Sequence, residues 1–386
     1  MVAAVRRGRS IRSVARQFRV NRLTVRLWVD RAGEQRLNRV DWADRPSGPR
    51  EPPVNRVSSQ IEDVILSVRR ELQQTSALGE YGDAAIHREL LQRGYAEVPS
   101  IRTIARILER RGALDRRRRV RRPAPPPGWY LPEVAQAKAE LDSFDAVEGL
   151  VIKGATDVEV LNTISLHGGL VGSWPRHSLT AKETTSLLME HWQEFGLPGY
   201  AQFDNDTRFQ GAHQYPDNVG RVARLCLSLQ IVVVFAPPRE MGFQAAIESY
   251  NGRWQEKVWR RFQHQSLLTL QAQSDQYVAA CRGKTALRIE AAPPRRPFPK
   301  NWQPNFQTHP QGLLVFLRRT NDKGQASLLG RPFLVDPLWP HRLVRSEVDL
   351  NANLIRFYAL RRREPSQQPL LAEIPYLLPK KPFQGR

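Results

Sequence analysis

Apolar residues recur at helical spacing near the start of the chain. Ile11, Val14, Ala15 and Phe18 share one face, Val20 and Asn21 break the pattern, and Leu23, Val25, Leu27 and Trp28 resume it. The spacing predicts helix, tight turn, helix over residues 1–35. Ser10 and Asn21 are its N-caps, because their side-chain oxygens can accept from N–H groups that a helix start leaves without partners. Residues 36–59 are polar and carry Pro46, Pro49, Pro52 and Pro53, which reads as a linker. A second helical unit is expected over residues 60–114. Two amphipathic stretches, 61–74 and 81–94, precede a third helix that Ser100 opens and Gly112 stops.

Residues 115–135 contain six arginines followed by a proline run, the composition of an extended, semi-rigid tether. The pattern then changes. Strand-like runs at 149–152, 158–166, 200–204 and 231–238 alternate with helical stretches at 181–195, 219–229 and 243–262. That alternation predicts a mixed α/β sheet covered by helices over residues 136–290. Short strands with turn signals at Asn321–Gly324 and Asn351–Asn353 suggest a small β-barrel over 291–365. The proline-containing tail, 366–386, reads as loose. The fold class is therefore multidomain: all-α units, an α/β core and a C-terminal barrel.

Charge adds a partner to this picture. The chain of 386 residues carries 59 basic and 38 acidic side chains, a net +21. Residues 1–135 hold 28 of the basic and 15 of the acidic groups, and arginine supplies the excess. Guanidinium groups fork onto phosphate oxygens, so a polyanion is the expected partner and its binding should weaken with salt. The second N-terminal helix would present Arg22, Thr24 and Arg26 outward, suited to a DNA groove. Arg116, Arg117, Arg118 and Arg119 in the tether could follow a phosphate backbone. No apolar run approaches the roughly 20 residues that span a bilayer, and no apolar segment follows the basic N-terminus. The two cysteines, Cys226 and Cys281, form no CxxC pair, so a disulfide framework or cysteine zinc site is not expected. These features suggest a cytoplasmic protein without a membrane partner. His167, His177 and His191 are scattered and read as structural, and Trp254 and Trp259 as core.

The candidate chemistry lies in two segments. An apolar strand, residues 200–203, ends at Asp204-Asn205. The later apolar run 231–238 leads through a loop with Met241-Gly242 into a helix bearing Glu248, 44 residues beyond Asp204. A strand end and a helix separated by one helix–strand unit can converge at one sheet edge.

This layout resembles the retroviral-integrase-like DDE transposases, in particular their insertion-sequence branch. Asp204-Asn205 resembles the family's Asp-Asn motif on its second catalytic strand. Glu248, on a helix continuing with Asn251 and basic residues, resembles the family's glutamate. The resemblance spans roughly residues 10–360 and implies an RNase H-like core. Its first carboxylate falls at Asp145 or Asp142. They stand three apart, so on a regular strand they face opposite ways and only one can join the others. Asp145 is preferred, with Asp142 as the alternative.

The resemblance further implies two Mg²⁺ or Mn²⁺ ions held by the carboxylates. Such ions activate a water or 3′-OH and stabilise the leaving oxygen during DNA 3′-end cleavage and strand transfer. Lys257 and Arg260 would hold phosphates, double-stranded DNA would be the substrate, and a homodimer or higher oligomer would join two ends in a bacterial nucleoid. The alternatives are a DNA-binding protein descended from a transposase, or another RNase H-like nuclease.

Overall fold

The computed structural model describes residues 1–43, 57–114, 127–154, 156–212, 215–240, 242–362 and 364–384. The chain divides into two compact units, Met1–Ile61 and Glu62–Arg386.

The first unit holds α1 (Val2–Arg6), α2 (Ile11–Phe18) and α3 (Arg22–Ala32). Ser10 Oγ accepts from Ser13 N at 3.2 Å and Asn21 Oδ1 accepts from Leu23 N at 3.0 Å, so both expected N-caps form. Arg19 turns the chain between α2 and α3 in the left-handed region, φ 51°. Val14, Ala15 and Val25 are the buried centre. A second cluster joins Val2 and Ala32 to Val40. The unit therefore extends past residue 35, where the linker was expected to begin. The linker prolines, Pro46 to Pro53, lie outside the described residues.

In the second unit, α4 (Ser59–Thr75), α5 (Asp83–Gln92) and α6 (Ile101–Arg110) bury Ile65, Val68, Ile86, Leu90, Ile104 and Ile107. Glu62 is buried there and paired with Arg110 and Arg111. The loop after α4 is fastened to the α/β core. Leu78 packs against the cluster of Tyr250 and Trp254, and Arg261 donates to the carbonyls of Ser76 at 2.6 Å and Gln74 at 3.0 Å.

The core begins with α7 (Pro132–Ala135) and a meander of β1 (Leu141–Ile152), β2 (Thr156–Ser165) and β3 (Val171–Arg176). It continues through α8 (Ala181–Phe195), β4 (Tyr200–Phe203), α9 (Thr207–Gln210), α10 (Arg221–Ser228), β5 (Val232–Phe235), α11 (Ala245–Trp254), α12 (Leu267–Lys284) and α13 (Ala286–Glu290). The meander is antiparallel, β4 runs parallel to β1, and β5 runs parallel to β4. Period-two alternation serves both faces. Phe144, Phe203, Val233 and Phe235 meet Leu188, Trp192 and Val222 of α8 and α10 on one side. On the other side Val158 and Val160 meet Ile247, Tyr250 and Trp254 of α11. Farther along that side, Val234 meets Trp129, Tyr130 and Phe243.

Three expectations are corrected. The tether was expected to reach residue 135, but Trp129, Tyr130, Leu131 and Val134 are buried in the core. Arg116 to Arg119 lie outside the described residues. The C-terminal strands do not stand apart as a small barrel. β6 (Leu313–Arg319) pairs in parallel with β5, from Val233↔Leu314 to Phe235↔Phe316. The hairpin β7 (Gln325–Leu328) and β8 (Arg331–Leu334) forms its own two-stranded sheet. β9 (Leu343–Asp349), β10 (Leu354–Ala359) and β11 (Leu370–Pro375) then extend the large sheet, whose order is β11-β10-β9-β6-β5-β4-β1-β2-β3. No pairing closes β11 onto β6 among the described residues. The tail read as loose contains β11. The reason is an edge: β5 would otherwise expose a row of unpaired N–H and C=O groups, which β6 satisfies.

Ending the chain at residue 290 would strip Leu314, Val315 and Phe316 from both layers. Such a fragment is expected to lose cooperative thermal unfolding, followed by circular dichroism, and to bind a hydrophobic dye. A cooperative melt equal to that of the full chain would contradict the dependence of β5 on β6.

Candidate active site

Alternation along β1 sorts its two aspartates. Asp142 shares the α8 side with Phe144. Its Oδ2 accepts from Trp192 Nε1 at 3.2 Å and from Arg295 Nη1 at 3.1 Å. Asp145 shares the α11 side, where its Oδ2 accepts from Asn251 Nδ2 at 2.7 Å. Asp204 follows the last residue of β4, and Glu248 lies in the first turn of α11.

Two buried networks fix these elements. Tyr130 Oη lies 2.9 Å from both Gln202 Oε1 on β4 and the Phe243 carbonyl. Ser143 of β1 donates to the same Gln202 oxygen at 3.2 Å, and Gln202 Nε2 donates to Phe243 O at 3.2 Å. β1, β4 and the segment entering α11 are thus tied at one point. Asn162 of β2, directly opposite Asp145 in register, donates to Asn251 Oδ1 at 2.8 Å. Asn251 in turn donates to Asp145. Asp204 Oδ1 accepts from Asp206 N at 3.0 Å.

Burial, then the negative charge of Asp204 and, more weakly, that of Glu248, push the Asp145 carboxyl up to about 6. Burial also raises Asp204, with Asp206 and Glu148 adding like charge and Arg208 partly offsetting it. Several other buried or clustered carboxylates have arginines: Arg295 pairs with Asp142, Arg331 with Asp217, and Arg208 with Asp206, Glu148 and Glu159, whereas the buried Glu140 accepts from the backbone N–H groups of Leu141, His167 and Gly168. Asp145, Asp204 and Glu248 make no ion pair among the described residues. Their donor set is all hard oxygen, which fits Mg²⁺ or Mn²⁺. As they stand, no three His, Cys, Asp or Glu side chains among the described residues surround a common point as a ready cage for one ion. The fit is therefore of donor chemistry and of carboxylates without ion pairs, with Glu248 exposed in the first turn of α11.

The sequence-predicted residues fall out as follows. Asp145, Asp204 and Glu248 come to one side of the sheet. Asp142 does not: it is fully buried on the opposite face beside His191 and Trp192, where burial outweighs the attraction of Arg295 and lifts its carboxyl to about 6. It anchors Arg295 and cannot share an ion with the others. Arg22, Thr24 and Arg26 are exposed on α3, and Arg26 lies 3.8 Å from Asp30. Lys257 is turned toward Glu256 at 3.0 Å and the Tyr81 ring, so it is already engaged within the chain, whereas Arg260 is exposed. His191 and Trp254 are buried, as read. Sequence reasoning missed Tyr130, Asn162, Gln202 and Arg208. Only Arg208 left a signal, four residues past Asp204 among acidic neighbours.

No family model matches this chain, and no curated protein does. Solved structures similar to it include the catalytic core domain of BIV integrase, at 14% identity and TM-score 0.30, covering 39% of this chain and 94% of that one. A simian T-cell lymphotropic virus intasome in complex with PP2A regulatory subunit B56 gamma matches at 13% identity and TM-score 0.33, over 79% and 96% of the two chains. The HTLV-2 integrase catalytic core domain in complex with magnesium matches at 14% identity and TM-score 0.27, over 41% and 87%. Overlap at this level leaves function to be read from the site itself.

The raised Asp145 carboxyl sets a pH dependence. Between its ordinary value of 3.8 and about 6 the folded chain holds a proton that the unfolded chain has lost. Stability from this group therefore falls as pH rises through that window. With solvent screening at a partly exposed site, the penalty at pH 7 is on the order of 1 kcal/mol. In chelator, Asp145→Asn is expected to be more stable than the parent by that amount at pH 7 and to show no gain at pH 4. Urea melts at the two pH values measure this, and an equal difference at both would contradict it.

Proposed function

We propose that this chain is a DDE-type transposase or integrase, which cuts DNA at 3′ ends and joins them to target DNA using two Mg²⁺ or Mn²⁺ ions. The carrying observation is charge. In a chain of net +21, three carboxylates on β1, after β4 and on α11 come to one side of the sheet with no ion pair among the described residues, and Asp145 feels the like charge of both others. The strand order β3-β2-β1-β4-β5, with the first three antiparallel and the rest parallel to β1, supports an RNase H-like reading of the core.

When bound, the ions supply activation of a water or 3′-OH and stabilisation of the leaving oxygen. The chain's residues supply the positions. Asp145 feels both Asp204 and Glu248 and is the natural shared ligand. Asn251 holds its Oδ2, and the Asp206 N–H holds Asp204 Oδ1, so neither carboxylate swings freely. Glu248 completes the set from the exposed first turn of α11. The exposed Arg22, Thr24 and Arg26 of α3 support its reading as a recognition helix in the major groove of element ends. Joining two ends calls for at least two copies on DNA.

Strand transfer tests the catalytic claim. With labelled DNA carrying the element's candidate ends and Mg²⁺ or Mn²⁺, the parent is expected to give joined products. Asp204→Asn and Glu248→Gln should drop to background, while tight DNA binding without products from any form would defeat the proposal. Arg22→Ala and Arg26→Ala should each weaken DNA binding and lower the slope of log affinity against log salt by about 1 where the arginine contacts a phosphate. Unchanged slopes in filter-binding titrations would remove α3 from the interface.

A further inference from the structure

Arg318, on β6, is a buried cation without a carboxylate partner among the described residues. Burial lowers its guanidinium to about 10, so it remains charged near neutrality. A buried charge left unpaired is costly unless its donors are all used. Here four hydrogen bonds use them, on the turn after β4, the ends of β5 and β6, and β7. Nη2 donates to Asn205 Oδ1 at 2.7 Å. Nη1 donates to the carbonyls of Ala236, just past β5, at 3.2 Å and Leu317 at 2.9 Å. Nε donates to Ser327 O in β7 at 3.2 Å. Asn205 Nδ2 closes the figure by donating to the same Ala236 carbonyl at 2.7 Å.

Asn205, Ala236 and Arg318 thus form a closed ring of hydrogen bonds across the ends of β4, β5 and β6. Alternation places this ring on the α8 and α10 side: Leu314 and Phe316 of β6 lie there, and the Arg318 guanidinium sits 5.0 Å from the Phe316 ring. Asp204 projects from the adjacent position to the other side. The residue after Asp204 is therefore clamped from behind the sheet by a strand that lies over 100 residues further along the chain.

We infer that Arg318 is a positioning residue for Asp204, fixing the Asp204-Asn205 turn and so setting the site's affinity for a divalent cation. This rests on the reading of Asp145, Asp204 and Glu248 as cation ligands. A lysine cannot replace the arginine, because one ammonium cannot span acceptors on β5, β7 and Asn205 with the geometry of a planar fork. The clamp also explains why β6 belongs to the catalytic sheet: the C-terminal strands hold a part of the site in place.

The test is Mn²⁺ binding by the DNA-free full chain, measured by calorimetry for the parent, Arg318→Met, Arg318→Lys, Asn205→Ala and the Arg318→Met/Asn205→Ala double variant. Thermal melts report folding in parallel. Loss of a group that orients a metal ligand costs about 10–100-fold in affinity. The folded Met and Ala variants are expected to bind Mn²⁺ that much more weakly, with Arg318→Lys failing to restore parental affinity. The double variant should be no worse than the weaker single one, since both act through one contact. Parental affinity in the folded variants would overturn the role of Arg318 and leave the carboxylate site standing. A parent that binds no Mn²⁺ would overturn the site reading and this inference with it. Should Arg318→Met fail to fold, Asn205→Ala breaks the same ring from the turn itself and decides the matter.

Discussion

Like charges can be gathered at one place only by a scaffold stiffer than their repulsion. That constraint organises the second unit of this protein. Asp145, Asp204 and Glu248 arrive from the first strand, the end of a parallel strand and a helix, and none makes an ion pair among the described residues, Arg208 only partly offsetting Asp204. The scaffold answers with buried amides and hydroxyls. Tyr130, Ser143 and Gln202 tie β1, β4 and the entrance to α11, and Asn162 and Asn251 hold the first aspartate. Neutral hydrogen bonds fix the carboxylates without neutralising them, which an arginine would do.

Elsewhere the same chain uses arginine to cancel acidic groups. Arg208 gathers Asp206, Glu148 and Glu159 at the rim, and Arg295 balances Asp142 within the core. The sheet carries this arrangement past β5. β6 seals the parallel edge, its alternate residues fill both layers, and Arg318 reaches back to the turn after β4. Packing of the C-terminal strands and placement of the site are one problem in this fold.

Much of this was legible in the sequence. Helical periodicity and caps gave α2 and α3, and the end of an apolar strand gave Asp204. The choice between Asp142 and Asp145 needed the fold. Spacing shows that they face opposite ways, but only the packed structure says which side α11 covers. The C-terminal strands read as a barrel because period-two alternation reports a buried face and is silent about the partner strand. Trp129 to Leu131 were hidden by their proline-rich approach, where composition suggests a tether. Nothing local marks Arg318, two of whose acceptors lie 82 and 113 residues away. Long-range hydrogen bonds of this kind leave no periodic trace.

The most direct measurement is an anomalous-difference map from crystals of the full chain soaked in Mn²⁺. Density beside Asp145, shared with Asp204 and with Glu248, is expected, and none beside Asp142. A map with no peak at Asp145, or with its peak elsewhere in the chain, would contradict the central claim that these carboxylates are held together for a divalent cation.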